Sequence, residues 1–160
     1  MDIPIELKDF LSQKIPLSGP IDIGFELFEF PSAEKLVGFQ EGYRWHGSTK
    51  ERLMDWHENW IVFGASHADP LIFNTRTGEV LFDRHGAGCW NPVVLFPNLD
   101  AMNKCFIKIS KIVEDADEDL HDEEFNIRSE YVQDIKNAII NSVGSEQGEK
   151  IIEAFEIIEY

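Results

Sequence analysis

Basic residues are scarce in this chain. Fourteen lysines and arginines stand against 30 aspartates and glutamates, a formal net charge of −16. A surface this negative repels nucleic acid and anionic membrane, and it draws basic partners toward it. Cysteine is scarcer still, with only Cys89 and Cys105 and no CxxC pair. Two thiols cannot build a disulfide framework; a reduced pair is the simpler reading and a single bridge is the other. No apolar stretch approaches the roughly 20 residues that a membrane span needs. The start, Met1-Asp2-Ile3-Pro4-Ile5-Glu6, has no basic segment followed by an apolar run, so it does not read as a signal peptide. With no address in view, the expected compartment is the cytoplasm.

Apolar and aromatic residues are plentiful. Hydrophobic types make up 43% of the 160 residues, with 12 Phe and 4 Trp. A chain of this size buries about two-thirds of its unfolded surface. The reading is one domain over 1–160 rather than a disordered chain.

Hydrophobic spacing divides the chain into segments. Residues 2–14 read as a short helix capped by Asp2, with Pro4 in its first turn and Ile3, Leu7, Phe10 and Leu11 on one face. Pro16, Gly19 and Pro20 then break it. Residues 21–30 alternate like a strand until Phe28 and Phe30 switch phase, so they read as extended. A short helix over 32–39 would turn Leu36 and Val37 inward. Gly42–Trp45 looks extended, and Thr49–Trp56 looks like a single helical turn. Trp60–Gly64 is a continuous apolar run, the pattern of a strand buried on both faces. Asp69-Pro70 reads as a turn start, Leu71–Asn74 as a strand, Thr75–Gly78 as a hairpin turn and Glu79–Phe82 as the returning strand. His85–Gly88 reads as a loop. Asn91–Phe96 reads as a strand whose Pro92 suits a start or an edge.

After Leu99 the period changes to 3.6. Asn98 is a cap for a helix carrying Leu99, Met102, Phe106, Ile109 and Val113. Ser129 would cap a second helix carrying Tyr131, Val132, Ile135, Ile139 and Val143, stopped by Gly144. Ser145 would cap a third, with Ile151, Ile152, Phe155 and Ile158. Strands followed by a run of helices predict an α+β fold, with a central, mostly antiparallel sheet flanked by N- and C-terminal helices.

No catalytic constellation emerges. His46, His57, His67, His85 and His121 form no i,i+3 or i,i+4 pair, so no metal site is expected. Gly64-Ala65-Ser66-His67-Ala68 begins like a nucleophile elbow but lacks the final Gly and the following helix, which leaves a polar inter-strand turn. Gly86-Ala87-Gly88 has neither the third glycine nor the GK[ST] of a phosphate loop. Carboxylates are too common for spacing to mean anything. Residues 114–124, EDADEDLHDEE, hold eight acids and no lysine or arginine. They read first as a solvated connector and second as a docking surface for a basic protein, centred on Asp117, Glu118 and Asp119. Trp60 reads as core. Trp90 reads as a lid on the sheet or, alternatively, as an exposed anchor.

Several ordered motifs together resemble the SUKH superfamily, which includes the fungal cell-wall regulators of Smi/Knr type. They are Gly24-Phe25-Glu26-Leu27, Gly42-Tyr43-Arg44-Trp45, Trp60–Gly64, Asp69-Pro70-Leu71-Ile72-Phe73, Thr77–Val80, His85-Gly86-Ala87-Gly88-Cys89-Trp90 and Phe96–Ala101. The resemblance covers about 1–113 and leaves 129–159 as a helical extension of the same domain. The turn Ala65–Ala68 departs from it, because relatives often carry glycines or acids there. The resemblance implies an α+β fold, no catalytic residues and no cofactor. Bacterial members of that superfamily resemble immunity proteins, so it implies a non-catalytic module that neutralises a basic nuclease-type toxin by direct binding. The alternative is a regulatory or small-ligand site on the loops carrying Asp69, Asn74, His85 and Trp90.

Overall fold

The computed structural model describes residues 1–14 and 20–160. The break expected at Pro16 and Gly19 lies outside the described residues. The fold is α+β, with α-helices at both ends of two antiparallel sheets.

Helix α1 spans Ile5–Asp9 and continues as a π-helical turn over Phe10–Lys14. Asp2 does not cap it. Pro4 holds the N-cap, and its carbonyl accepts from the Leu7 and Lys8 amides at 3.2 Å. Leu7, Phe10 and Leu11 are buried, as their spacing predicts. The segment 21–30 is not one extended stretch. Strands β1 (Ile21–Asp22) and β2 (Leu27–Phe28) form a small hairpin. Gly24 turns it with φ +85°, and the Asp22 carboxylate accepts from the Gly24 amide at 2.7 Å. That turn is the physical origin of the phase switch before Phe28.

The stretch expected as a helix at 32–39 is two separate 3-10 turns, Ala33–Lys35 and Gly38–Gln40. Leu36 is buried, but Val37 faces outward. Gly42–Arg44 is a turn rather than extended chain, and Thr49–Trp56 contains no helical turn. Side-chain donors supplement the turn and isolated-bridge bonds of the backbone here. Arg44 donates to the Trp60 and Glu58 carbonyls at 3.0 and 2.9 Å, and Arg52 donates to the Trp56 carbonyl at 2.8 Å.

The main sheet runs β3 (Trp60–Ser66), β4 (Asp69–Asn74), β5 (Val80–Phe82) and β6 (Val93–Phe96), each antiparallel to the next. Asp69 and Pro70 lie within β4, paired with Ser66 and Ala65, so the turn is His67-Ala68 alone. Gly78 closes the next hairpin with φ +79°. Strand β3 is buried on both faces, because side chains of opposite parity enter two different cores. Ile61, Phe63, Leu71, Phe73, Val80 and Phe82 face the helices. Val62, Ile72 and Leu81 face a smaller aromatic layer built on Trp56.

The outer edge of β3 is closed without another full strand. Glu29 exchanges both backbone hydrogen bonds with Ala65, at 2.9 and 3.0 Å. The fully buried Gln40 amide accepts from the Val62 N–H at 2.9 Å and donates to the Val62 carbonyl at 2.7 Å. Such cover prevents the edge from templating another chain. Gly64 is required where β2 leads into this edge, because a Cβ there would meet the Phe30 ring at 2.7 Å.

Helix α2 (Leu99–Ala116) is capped by Asn98, whose side chain accepts from the Ala101 amide at 2.8 Å. Leu99, Met102, Phe106, Ile109 and Val113 are all buried. Helix α3 spans Ser129–Val143 and α4 spans Ser145–Ala154. The caps fall one residue earlier than Ser129 and Ser145, on Arg128 and Gly144, with no side-chain cap bond at either. Beyond α4, Ile157 enters the core and Ile158 faces out. Phe28 stacks on Phe106 at 5.3 Å, while Phe155 meets Phe82 edge-on at 5.1 Å. Each such pair adds about 0.5–1.5 kcal/mol to its burial. No helix of the described residues is long and apolar enough to cross a membrane.

Candidate functional site

Two regions carry the residues of interest. The first gathers around Asp69 at the start of β4. The His85 amide donates to Asp69 Oδ1 at 2.9 Å, and His85 Nδ1 lies 2.6 Å from the same oxygen. Arg84 donates to Asp69 Oδ2 at 2.8 Å, to Glu26 Oε1 at 2.6 Å and to the Ala154 carbonyl at 3.0 Å. Its guanidinium also sits 5.1 Å from the Phe82 ring centre. One arginine thus ties the β1–β2 turn, the β3–β4 hairpin and the C-terminal end of α4.

The Asp69 and Glu26 side chains are only 12% and 7% exposed. Burial pushes the Asp69 carboxyl up, but the hydrogen bonds from His85 and Arg84, with the Arg84 charge, hold it below the usual carboxylate range. Burial likewise opposes the Arg84 charge, and Asp69 and Glu26 overcome it. Burial and the Asp69 charge raise the Tyr43 phenol, which donates to the Ala68 carbonyl at 2.8 Å. Every strong partner of Asp69 is internal, so the geometry is that of a clamp.

Trp90 belongs to the neighbouring aromatic layer and acts as its lid. It meets Trp56 edge-on at 5.3 Å and Tyr43 at 5.7 Å. Trp60 is partly buried against the same layer. An open recess of about 210 Å³ lies beside Trp90, lined by Asp55, Arg84 and Gly86–Trp90. Asp69 and His85 do not line it. Asn74 sits at the far end of β4, roughly 17 Å from Asp69 at about 3.3 Å per residue. Its side chain accepts from the Arg76 amide at 3.0 Å and its carbonyl from the Gly78 amide at 2.8 Å, which makes it a turn residue. The structure therefore brings Asp69 and His85 together, sets Trp90 in an adjacent layer and leaves Asn74 apart.

The second region follows α2. A 3-10 turn, Asp117–Leu120, buries Leu120 and turns Asp117, Glu118 and Asp119 outward. The Tyr131 hydroxyl donates to Asp119 at 2.7 Å, and Arg128 approaches it at 3.6 Å. All eight carboxylate residues of 114–124 are exposed. The chain then doubles back through a His121–Ile127 bridge. Asp122 holds the tip, accepting from the Glu124 and Asn126 amides at 2.9 and 3.0 Å. These backbone donors lower the Asp122 carboxyl pKa. Phe125 stands at this tip, 86% exposed.

Arg84 and Phe125 were not marked by sequence pattern, and Glu26 was marked only as part of the Gly24–Leu27 motif, not as a partner of Arg84. The Glu26–Arg84 pair spans 58 positions, and a lone Phe in a polar tract has no period.

Ser66 is buried, and β4 begins three residues later, so the strand–turn–helix setting of a nucleophile elbow is missing. Among the described residues, no group of three His, Cys, Asp or Glu side chains is placed to hold a metal ion. Both cysteines are free, Cys89 at the surface and Cys105 in the core. Comparison of the chain with family models, with curated proteins and with solved structures gives no match.

Proposed function

We propose that this chain is a non-catalytic protein-binding module for a basic partner, and that in its most specific form it neutralises a nuclease-type toxin as the SUKH resemblance implies. One observation carries the reading: the eight carboxylate residues of 114–124 are all exposed on ordered backbone. Buried acids elsewhere, Glu26 and Asp69, are neutralised internally by Arg84. An exposed field of one sign accelerates encounter with a basic protein and fixes its orientation. It would act by occlusion, covering the basic cleft through which a nuclease holds its substrate. The alternative, a small-ligand site by Trp90, draws less support. The recess there holds about 210 Å³, below the ~300–1,000 Å³ of ordinary ligand pockets.

The test is to search the neighbourhood of this chain's gene for a toxin-type domain and to co-express the two. Co-purification, rescue of the cells and an association rate that falls steeply with salt are expected. No complex and no rescue would overturn the toxin reading.

A further inference from the structure

We infer that Phe125 is the anchor of the binding face, a ring presented to an apolar pocket rimmed by lysines and arginines on a basic protein. The inference rests on the protein-binding reading above and says which residue makes the central contact.

The fold has no need of a phenyl ring at this position. Phe125 is 86% exposed and belongs to neither core cluster. Its backbone sits at φ +64°, in the left-handed region that glycine or asparagine occupies at lower cost. A large apolar residue is thus kept where both solvent and backbone disfavour it. The hairpin beneath it is held in place. The Asp122 amide donates to the Asn126 carbonyl at 2.9 Å, and the Arg128 amide to the Leu120 carbonyl at 3.0 Å. Ile127 packs against the main core. A ring on such a base loses little freedom on docking, and a buried aromatic at the centre of an interface supplies much of its affinity.

Charge complementarity identifies the occupant. Asp122, Glu123 and Glu124 precede the ring directly, and Asp117, Glu118 and Asp119 lie on the preceding turn, all exposed. A second copy of this chain would bring another −16 to the contact. Nucleic acid and anionic lipid are repelled for the same reason. A basic protein surface satisfies the carboxylates and the ring together.

The experiment places the photo-crosslinker 4-benzoylphenylalanine at position 125, and separately at 54, in cells that make this chain naturally. Met54 is the control because it is 90% exposed. The expected result is one dominant adduct at 125 to a protein of net positive charge, with none at 54. That purified protein should bind Phe125→Gly and Phe125→Asn about 30-fold more weakly than wild type, the loss typical of an interface hot spot. Both variants should keep or raise the melting temperature, since the backbone favours them. A ring that merely supported the fold would lower it. Capture of a basic protein at 54 but not at 125, or equal binding by Phe125→Gly, overturns the anchor and leaves the module reading standing. No basic protein captured at either position, and none co-purified, overturns both.

Discussion

The Asp69 clamp and the Asp117–Phe125 segment treat the same chemical groups in opposite ways. At Asp69 the carboxylates are withdrawn from water and matched to Arg84 and His85. In the segment after α2 they face outward around an exposed ring. Partners found inside the fold make a carboxylate structural, as they also do for Asp119 and Asp122 within the segment, whereas carboxylates turned to solvent, as at Glu118, Glu123 and Glu124, are available to another molecule. The ordered motifs all precede Asp117, and three of them carry Glu26, Asp69 and His85 of the clamp, so the most recognisable residues build the scaffold and the least patterned ones are offered outward.

The hardest test of this contrast is Arg84→Met. It strands Glu26 and Asp69 as buried acids, and breaking a buried ion network from one side costs about 3–5 kcal/mol. The Arg84 side chain is 35% exposed, so water offsets part of this and about 3 kcal/mol is expected from urea unfolding at pH 7. The double change Asp117→Asn with Glu118→Gln should move stability by less than ~0.5 kcal/mol, as for surface charges generally. Equal losses from the two would erase the distinction.

Gln40→Ala comes next. It leaves the Val62 N–H and carbonyl unpaired at a buried strand edge, a loss of about 2 kcal/mol. Gln133 also donates from its amide, but to exposed Glu159 at 3.2 Å. Gln133→Ala should therefore cost only a few tenths of a kcal/mol. Chemical denaturation of the two variants side by side checks the pair.

These two regions also show what sequence could reveal. The buried β3 run, the 3–4 stepping of α2, the Asn98 cap and the turns at Gly78 and Gly144 were legible, because each is set by neighbours within a few positions. The stretch 39–58 was not. It is held by turn and isolated-bridge bonds, such as His46 to Glu51 and Leu53 to Arg44, and by the side chains of Arg44 and Arg52, which impose no period. The convergence of Asp69 with His85 was legible only as two nearby loops, and Arg84 with Glu26 not at all, since tertiary folding alone joins them. Phe125 follows the acidic tract with no period of its own, and only its exposure and backbone angle single it out.

A pH series sharpens the clamp itself. Asp69 has a folded pKa below its ordinary value of about 3.9. A depressed carboxylate contributes stability that is complete above the unfolded pKa and is lost as pH falls through the folded one. Wild type should therefore lose stability below about pH 4. Asp69→Asn should start lower at pH 7 and fall less steeply over that acid range. A parallel fall in both proteins would mean that Asp69 is not held as described.

The smallest effect expected is on the thiols, and it separates the two candidate faces most directly. Burial pushes the Cys105 thiol up to about 11, against a hydrogen bond to Ser142 and the charge of Lys108. At pH 8 almost none of it is thiolate, and the thiolate is the reactive form. Cys89 is exposed beside Trp90. A disulfide reagent should label one thiol rapidly in the native protein and the second only on unfolding. The modified protein then carries a bulky group on the Gly86–Trp90 loop while the Phe125 hairpin is untouched. Unchanged affinity for the basic partner keeps the interface on the hairpin, whereas lost affinity would move it to the Trp90 recess and reverse the contrast between the two regions.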